Sequence, residues 1–330
     1  MIKIDYNAIM KCHITSTLGP AILDSYVLQQ VIEKSDRLRI NTAFTSAADL
    51  SALLNRIEKI AASLGKLIPL VLDLQGAKMR IGRYPEAILE PGVYSLLLAE
   101  ESTDYREIPV PHPRLFQALQ PGDRLLLNDR RVQTRVLSVQ PLGASIEVEK
   151  GGPLSSYKGI NRVDHPIAFS GLEDRDKELI LATGTRANVE LAYSFVFTGD
   201  EALSLKDLSH ARLIAKIERP EALDHLVQIS QAFDELWFCR GDMGAQAGLQ
   251  RLGPIQQCFI ERTREYELPV ILAGQVLEHM SHFPEPTRAE VVQLYDALKA
   301  GFTGIVLSDE TAVGKNPLAV LDFLDGVKIW

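Results

Sequence analysis

Cysteine is scarce in this 330-residue chain, with three in all, and aromatic residues make up only 7%. Cys12, Cys239 and Cys258 have neither zinc-ligand nor disulfide spacing, which excludes a stapled fold and reads as buried thiols in a reducing compartment. No apolar run reaches the ~18 residues of a membrane span. The opening MIKIDYNAIMK lacks the basic-then-apolar pattern of a secretory signal, so the expectation is a cytoplasmic address with no membrane partner. Positive charge is not in surplus either: a net charge of −8 gives no global attraction to nucleic acid, and any phosphate recognition must be local. What the chain has is apolar material, 46% of residues against 24% charged, enough for a large core.

That material falls into eight short runs: HITSTL (13 to 18), DRLRI (36 to 40), LIPLVLD (67 to 73), VELAYSFV (189 to 196), ARLIAKI (211 to 217), ELWFC (235 to 239), LPVIL (268 to 272) and TGIVL (303 to 307). Most are followed by helical periodicity, at 23 to 34, 47 to 62, 173 to 183, 220 to 233, 254 to 267 and 287 to 300, with Pro220 and Pro254 expected at helix starts. Strand then helix, eight times over, predicts an α/β chain folded as a (β/α)8 TIM barrel. The regularity breaks once. Between about Lys78 and His165, Pro91-Gly92, Pro121-Gly122 and Gly151-Gly152 punctuate runs such as YSLLLA and VQTRVLSV, which reads as an all-β lid inserted after the third strand. The expected division is a barrel of residues 1–77 and 166–330 and an insert of 78–165.

Barrel enzymes carry their chemistry at the C-terminal ends of the strands. There the sequence places Arg39 to Asn41, Asp73 to Arg80, Lys216 to Glu218 and Arg240 to Asp242. Glu218 and Asp242 end neighbouring strands, and two converging carboxylates suit Mg2+ or Mn2+, which take oxygen ligands and keep positions open for substrate. Lys216, Arg39 and Arg80 add cations for a phosphoryl or enolate oxygen. The blander alternative is that Arg39 and Arg80 make structural pairs with Asp73 or Glu310. The histidines, among them His13, His279 and His282, form no ligand pattern, and Tyr193, Phe195 and Phe197 alternate as a strand does.

Ten ordered motifs, TSTLGPA (15 to 21), RIN (39 to 41), DLQGAKMRIG (73 to 82), GD-x-LLLND (122 to 129), EVEKGGPLSSYKGIN (147 to 161), AKIE (215 to 218), FCRGDMG (238 to 244), QVLEHM (275 to 280), PTRAE (286 to 290) and LSDETAVGKNP (307 to 317), resemble the pyruvate kinase family, barrel and lid alone. The resemblance implies Mg2+-dependent phosphoryl transfer between phosphoenolpyruvate and ADP or another nucleoside diphosphate. By it, Glu218 and Asp242 hold the metal, and amides around Gly241 and Asp242 cradle the substrate carboxylate. Lys216 bridges the phosphoryl group, Arg39 and Arg80 clamp it, Asp73 stands beside it, and Asn41, Arg80 and Lys158 face the nucleotide. In Asp73-Leu74-Gln75-Gly76-Ala77-Lys78 the residues resemble the K+-independent branch, with Lys78 supplying the charge a bound K+ would provide, so no K+ requirement is expected.

Departures from the family pattern cluster on two tasks. Gly274 stands where the family usually has the threonine of a proton relay, and Val292-Gln293 replaces Ser-Asp. On the nucleotide side, Ala43-Phe44 replaces Ser-His, Tyr157 replaces a lysine and Gln246 a glutamate. The resemblance stops at Trp330, so the family's effector domain and its allosteric control are expected to be absent, while PTRAE leaves open a homodimer or homotetramer. Two other functions fit the same residues: a lyase or aldolase working through a Mg2+-bound pyruvate enolate, and a non-catalytic sensor of phosphoenolpyruvate or pyruvate.

Overall fold

The structure, a computed structural model, describes residues 12–128, 130–163, 167 and 169–327, with the backbone but not the side chain of Phe44. The segment MIKIDYNAIMK, Asp129 of the GD-x-LLLND element, His165 at the expected end of the insert, the Phe44 side chain and Trp330 lie outside the described parts.

Eight strands, β1 (His13–Thr17), β2 (Arg37–Asn41), β3 (Leu70–Leu74), β4 (Val189–Tyr193), β5 (Arg212–Ile217), β6 (Glu235–Cys239), β7 (Val270–Ala273) and β8 (Gly304–Leu307), close into a barrel. Their order is β1-β8-β7-β6-β5-β4-β3-β2, and every neighbouring pair is parallel. Parallel strands buried on both faces need apolar residues at successive positions rather than alternate ones, and the burial of all five residues of β3 and of β6 meets that demand. The interior is filled by Val71, Ala192, Ile214, Trp237, Ile271 and Val306. Helices Ser25–Lys34, Ala47–Ser63, Asp174–Ala182 and Arg288–Ala300 follow the predicted periodicity, the last opened by a capping box of Thr287 and Glu290.

Three local expectations are corrected. Strand β4 stops at Tyr193, because Phe195 turns into the left-handed region at φ 61°; the Tyr-Phe-Phe alternation therefore does not continue as a strand. Phe197 instead packs edge-on against His225, with the Arg219 guanidinium over its ring. Pro254 lies inside helix Leu249–Thr263 rather than at its start, exposed and at the sixth position. The segment predicted as one helix from Pro220 is a 3-10 turn, Pro220–His225, followed by helix Leu226–Ala232.

At the N-terminal end of the barrel, residues at the starts of four strands form an ionic layer in which Arg37 and Glu235 are buried and Arg212 is exposed. Arg37 donates through Nη1 to Glu190 at 2.7 Å and to Glu235 at 3.0 Å, and through Nε to Thr15 at 3.2 Å. Glu235 also accepts from the Trp237 indole N–H and from Arg212. Each buried charge thus has an opposite partner and a hydrogen bond, the condition under which buried ions are tolerated.

The chain divides into two compact units, one holding the barrel and the other comprising Ala77–Phe169 with Gly244–Leu249. The second unit contains a six-stranded sheet, in the order 160–162, 124–127, 132–140, 143–150, 92–97 and 107–109, a two-stranded pair of 87–89 with 152–154, and one helix, Pro113–Ala118. It has its own core, including Tyr94, Leu96, Leu125, Leu127, Ile146 and Val148.

Candidate active site

Seven of the ten residues singled out from the sequence belong to the barrel unit, namely Arg39, Asn41, Asp73, Lys216, Glu218, Gly241 and Asp242; Lys78, Arg80 and Lys158 belong to the second unit. In the barrel unit the fold brings four of them into one bonded cluster. Asp73, near the end of β3, accepts from Lys216 Nζ through Oδ1 at 2.8 Å and from Arg39 Nε through Oδ2 at 2.7 Å, with Arg39 Nη2 on the same oxygen. Lys216 reaches Glu218 Oε1 at 3.1 Å as well.

Two participants were not singled out from the sequence. Ser194 Oγ accepts the third Lys216 hydrogen bond at 2.8 Å and donates to the Leu74 carbonyl at 2.8 Å. The backbone N–H of Phe195 donates to Glu218 Oε2 at 2.8 Å, made possible by the positive φ of that residue. A serine and a main-chain amide at a strand end carry no distinctive sequence signal. Only their position directly after β4, between β3 and β5, could have suggested them. Thr17, closing β1, accepts from Arg39 Nη1 at 2.8 Å.

Electrostatics in the cluster follow from burial opposed by pairing. Burial by itself raises the Asp73 carboxyl, but Lys216 and Arg39 outweigh it and hold the group well below the usual carboxylate range. Burial alone would lower Lys216, yet Asp73 and Glu218 raise it above an ordinary lysine. The ammonium stays charged, with all three donors engaged. Cys239, at the end of β6, has its thiol pushed up by burial and by the charge of Glu218, with Asp73 and Asp242 adding smaller contributions.

Helix Arg240–Ala247 begins immediately after β6, so the amides at Gly241 and Asp242 lie in its first turn, where no carbonyl of the same helix can accept from them. Gly241 is exposed and Asp242 is partly exposed. The loop after β7 packs against this turn: Arg240 donates to the carbonyls of Gly274 at 2.8 Å and Gln275 at 2.6 Å. Glu310, 1% exposed, accepts from Val276 and Leu277, both at 3.1 Å, and from Ser308 at 2.6 Å.

A separate cavity of about 620 Å³ opens beside the ends of β1, β2 and β8, lined among others by Thr17, Pro20, Arg39, Asn41, Leu53 and Asp309. Its Gly19 is dictated by close approach: a Cβ there would stand 2.3 Å from the Ala312 carbonyl oxygen. In the second unit, Arg80 pairs with Gly159 across an isolated bridge, its Nη1 donates to the Tyr157 carbonyl at 2.9 Å, and Ile81 N–H bonds to the Lys158 carbonyl. Lys78 lies alongside Gly159, so that unit gathers Lys78, Arg80 and Lys158 together.

The residues present fit a hard divalent cation. Two carboxylates supply oxygen, and Mg2+ ordinarily takes one or two of these, completing its shell with water and substrate oxygens. Among the described residues there is no cluster of three or more His, Cys, Asp or Glu side chains able to hold a metal. Val292 is exposed on helix Arg288–Ala300. No helix among the described residues is long and apolar enough to cross a membrane.

A closed (β/α)8 barrel that gathers a buried lysine, an arginine and acidic side chains at its strand ends defines the class: an α/β-barrel protein with a buried ionic cluster at the strand ends. Comparison with known proteins narrows the class. The family described as "Pyruvate kinase, barrel domain" matches residues 9–321, and the chain belongs to the pyruvate kinase family. It is similar to pyruvate kinase II of Salmonella typhimurium, 35% identical over 318 residues, covering 92% of this chain and 66% of that protein. A pyruvate kinase of Agrobacterium vitis is 32% identical over 325 residues, covering 96% of this chain and 68% of its own length. The chain thus spans about two thirds of the length of these relatives. In fold it is similar to a crystal structure of a pyruvate kinase from Cryptosporidium parvum, with TM-score 0.85 at 22% identity, over 100% of this chain and 70% of that one.

Proposed function

We propose that this chain catalyses phosphoryl transfer between phosphoenolpyruvate and a nucleoside diphosphate, in a Mg2+-dependent and K+-independent manner. The observation that carries the reading is Lys216, buried and held charged at the strand ends by Asp73, Ser194 and Glu218, in a barrel of the pyruvate kinase family. A lysine so completely paired is expensive to bury, and a site that only bound a small acid would gain nothing from it that an exposed cation could not supply.

Glu218 and Asp242 are the residues to hold the metal, which when bound supplies positive charge to the carboxylate and enolate oxygens. Glu218 is already oriented by the Phe195 amide. The first-turn amides at Gly241 and Asp242 receive the substrate carboxylate. Lys216 neutralises the transferring group, and Arg39 orients it with donors beyond the three that Asp73 and Thr17 engage. Asp73 keeps both cations in place. The nucleotide enters by the cavity at Thr17 and Asn41. In the second unit, the family pattern assigns Arg80 to the phosphoryl group, Lys158 to the nucleotide and Lys78 to the charge that a K+ would otherwise supply.

A coupled assay with phosphoenolpyruvate, Mg2+ and a panel of nucleoside diphosphates tests this. Pyruvate and nucleoside triphosphate should form, should not form with Lys216→Met or Glu218→Gln, and should not increase many-fold on adding K+ at saturating Mg2+. Release of tritium from labelled pyruvate without any nucleotide would favour the lyase reading, and binding without turnover the sensor.

A further inference from the structure

Asp176 lies in the first turn of helix Asp174–Ala182 and is 1% exposed. An acidic side chain at that place ordinarily serves its own helix, facing the amides that have no partner there. This one reaches elsewhere. Its Oδ1 accepts from the Gln75 amide at 3.1 Å and its Oδ2 from the Gly76 amide at 2.8 Å, both in the loop just after β3. Among the described residues no cation pairs with it. Burial pushes its carboxyl up, the two amides offset this only in part, and the charges of Glu173 and Asp73 add to the rise.

The Gln75 N–H and the Leu74 carbonyl are the two ends of one planar peptide unit, so fixing the first fixes the direction of the second. That carbonyl accepts from Ser194 Oγ at 2.8 Å, and Ser194 Oγ accepts from Lys216 Nζ at 2.8 Å. A single series of hydrogen bonds therefore runs from Asp176 to the buried ammonium. Every donor in it points toward the carboxylate, the arrangement in which each bond polarises the next. The second amide keeps the loop in place. Gly76 is left-handed, at φ 54°, and so close to Ser194 that a Cβ would stand 2.7 Å from the Ser194 carbonyl oxygen.

We propose that Asp176 is a positioning residue for phosphoryl transfer, which aims Lys216 through the Leu74 carbonyl and the Ser194 hydroxyl. The inference rests on the role given to Lys216 under Proposed function. Ser194 has one hydroxyl proton to give. Given to Leu74, it leaves the oxygen lone pairs to the ammonium. With the peptide unit displaced, the acceptor left to it is Asp73 Oδ1, 3.3 Å away, an atom that Lys216 already uses. The lysine would keep its charge and lose its aim, which weakens the transition state more than substrate binding.

Steady-state kinetics of Asp176→Asn, Ser194→Ala and the double variant test the idea, with folding checked by thermal melting. Asparagine keeps the shape but turns an N–H toward one of the two amides. In Asp176→Asn, kcat should fall about tenfold while KM for phosphoenolpyruvate stays within about twofold. In the Ser194→Ala background the same substitution should change kcat by less than about twofold, because both act on Lys216 by one route. A residue that only supported the fold would lower kcat by the same factor in both backgrounds. That result overturns the proposal, and so does an unchanged kcat in folded Asp176→Asn. Amide hydrogen exchange on the native protein needs no variant: Gln75 and Gly76 should be protected, and exchange at both as fast as in an exposed loop overturns the proposal. Native protein that turns over no phosphoenolpyruvate sinks the proposed function instead. The link to Lys216 is then read from the ammonium nitrogen resonance in protein carrying isotope-labelled lysine, assigned by its loss in Lys216→Met. Asp176→Asn should shift that resonance, and an unmoved signal overturns the link.

Discussion

Lys216 donates to three acceptors, and each contributes differently: Asp73 and Glu218 bring charge, whereas Ser194 brings a neutral hydroxyl that fixes direction. Replacing Ser194 with alanine leaves one donor of a buried ammonium without its acceptor. A hydrogen bond to a charged group is worth about 1.5–3 kcal/mol, so Ser194→Ala should lower stability by about 2 kcal/mol and turnover by about tenfold, read from urea midpoints and steady-state rates. Asp73 gives a pH signature. Its carboxyl titrates well below its ordinary value of 3.8 in the folded protein, so the stability it contributes is fully present above that value and is lost as pH falls below it. Asp73→Asn should accordingly cost about 3 kcal/mol near neutral pH, and the gap from native protein should narrow as the pH of the unfolding experiment is taken down through 3.8. A gap that is constant with pH would show that the ion cluster is not its source. Asp73, Lys216 and Arg39 were legible in the sequence because charged residues at the ends of apolar runs are conspicuous. Ser194 and the Phe195 amide were not. Their roles arise from a backbone turn after β4 that no residue type announces, since phenylalanine is a poor predictor of positive φ.

At the scale of single elements, the barrel strands were readable because each is a short apolar run bounded by polar residues, and the structure shifts their ends by only a few positions. Helix boundaries were less so. Proline at a first turn costs nothing, which made Pro254 look like a start signal, but helix Leu249–Thr263 begins five residues earlier and carries the proline inside. The carbonyl of Gln250 consequently lacks its usual donor four residues on. Because Pro254 is exposed, its removal loses little packing. Pro254→Ala should therefore stabilise the protein, by about 1 kcal/mol once the greater freedom of the unfolded chain is set against the restored hydrogen bond. A lower urea midpoint in the variant would mean that the ring is needed to hold the helix against its neighbours.

Across the whole molecule, order along the chain made the architecture legible, because eight strand-and-helix repeats interrupted once leave few alternatives. The interruption was readable from Pro-Gly and Gly-Gly punctuation, whereas the helix Pro113–Ala118 within it and the grouping of Gly244–Leu249 with that unit depend on contacts far apart in sequence. The ionic layer was equally invisible from sequence: Arg37, Glu190, Arg212 and Glu235 look like ordinary surface charges until the closing of the barrel aims them at one another. That layer has a practical use. The chain has two tryptophans, and Trp237 is buried on β6 with its indole N–H on Glu235, two residues before Cys239 and five before Asp242. Its emission is thus a built-in optical probe of the barrel interior around Glu235, available without any label attached to the protein.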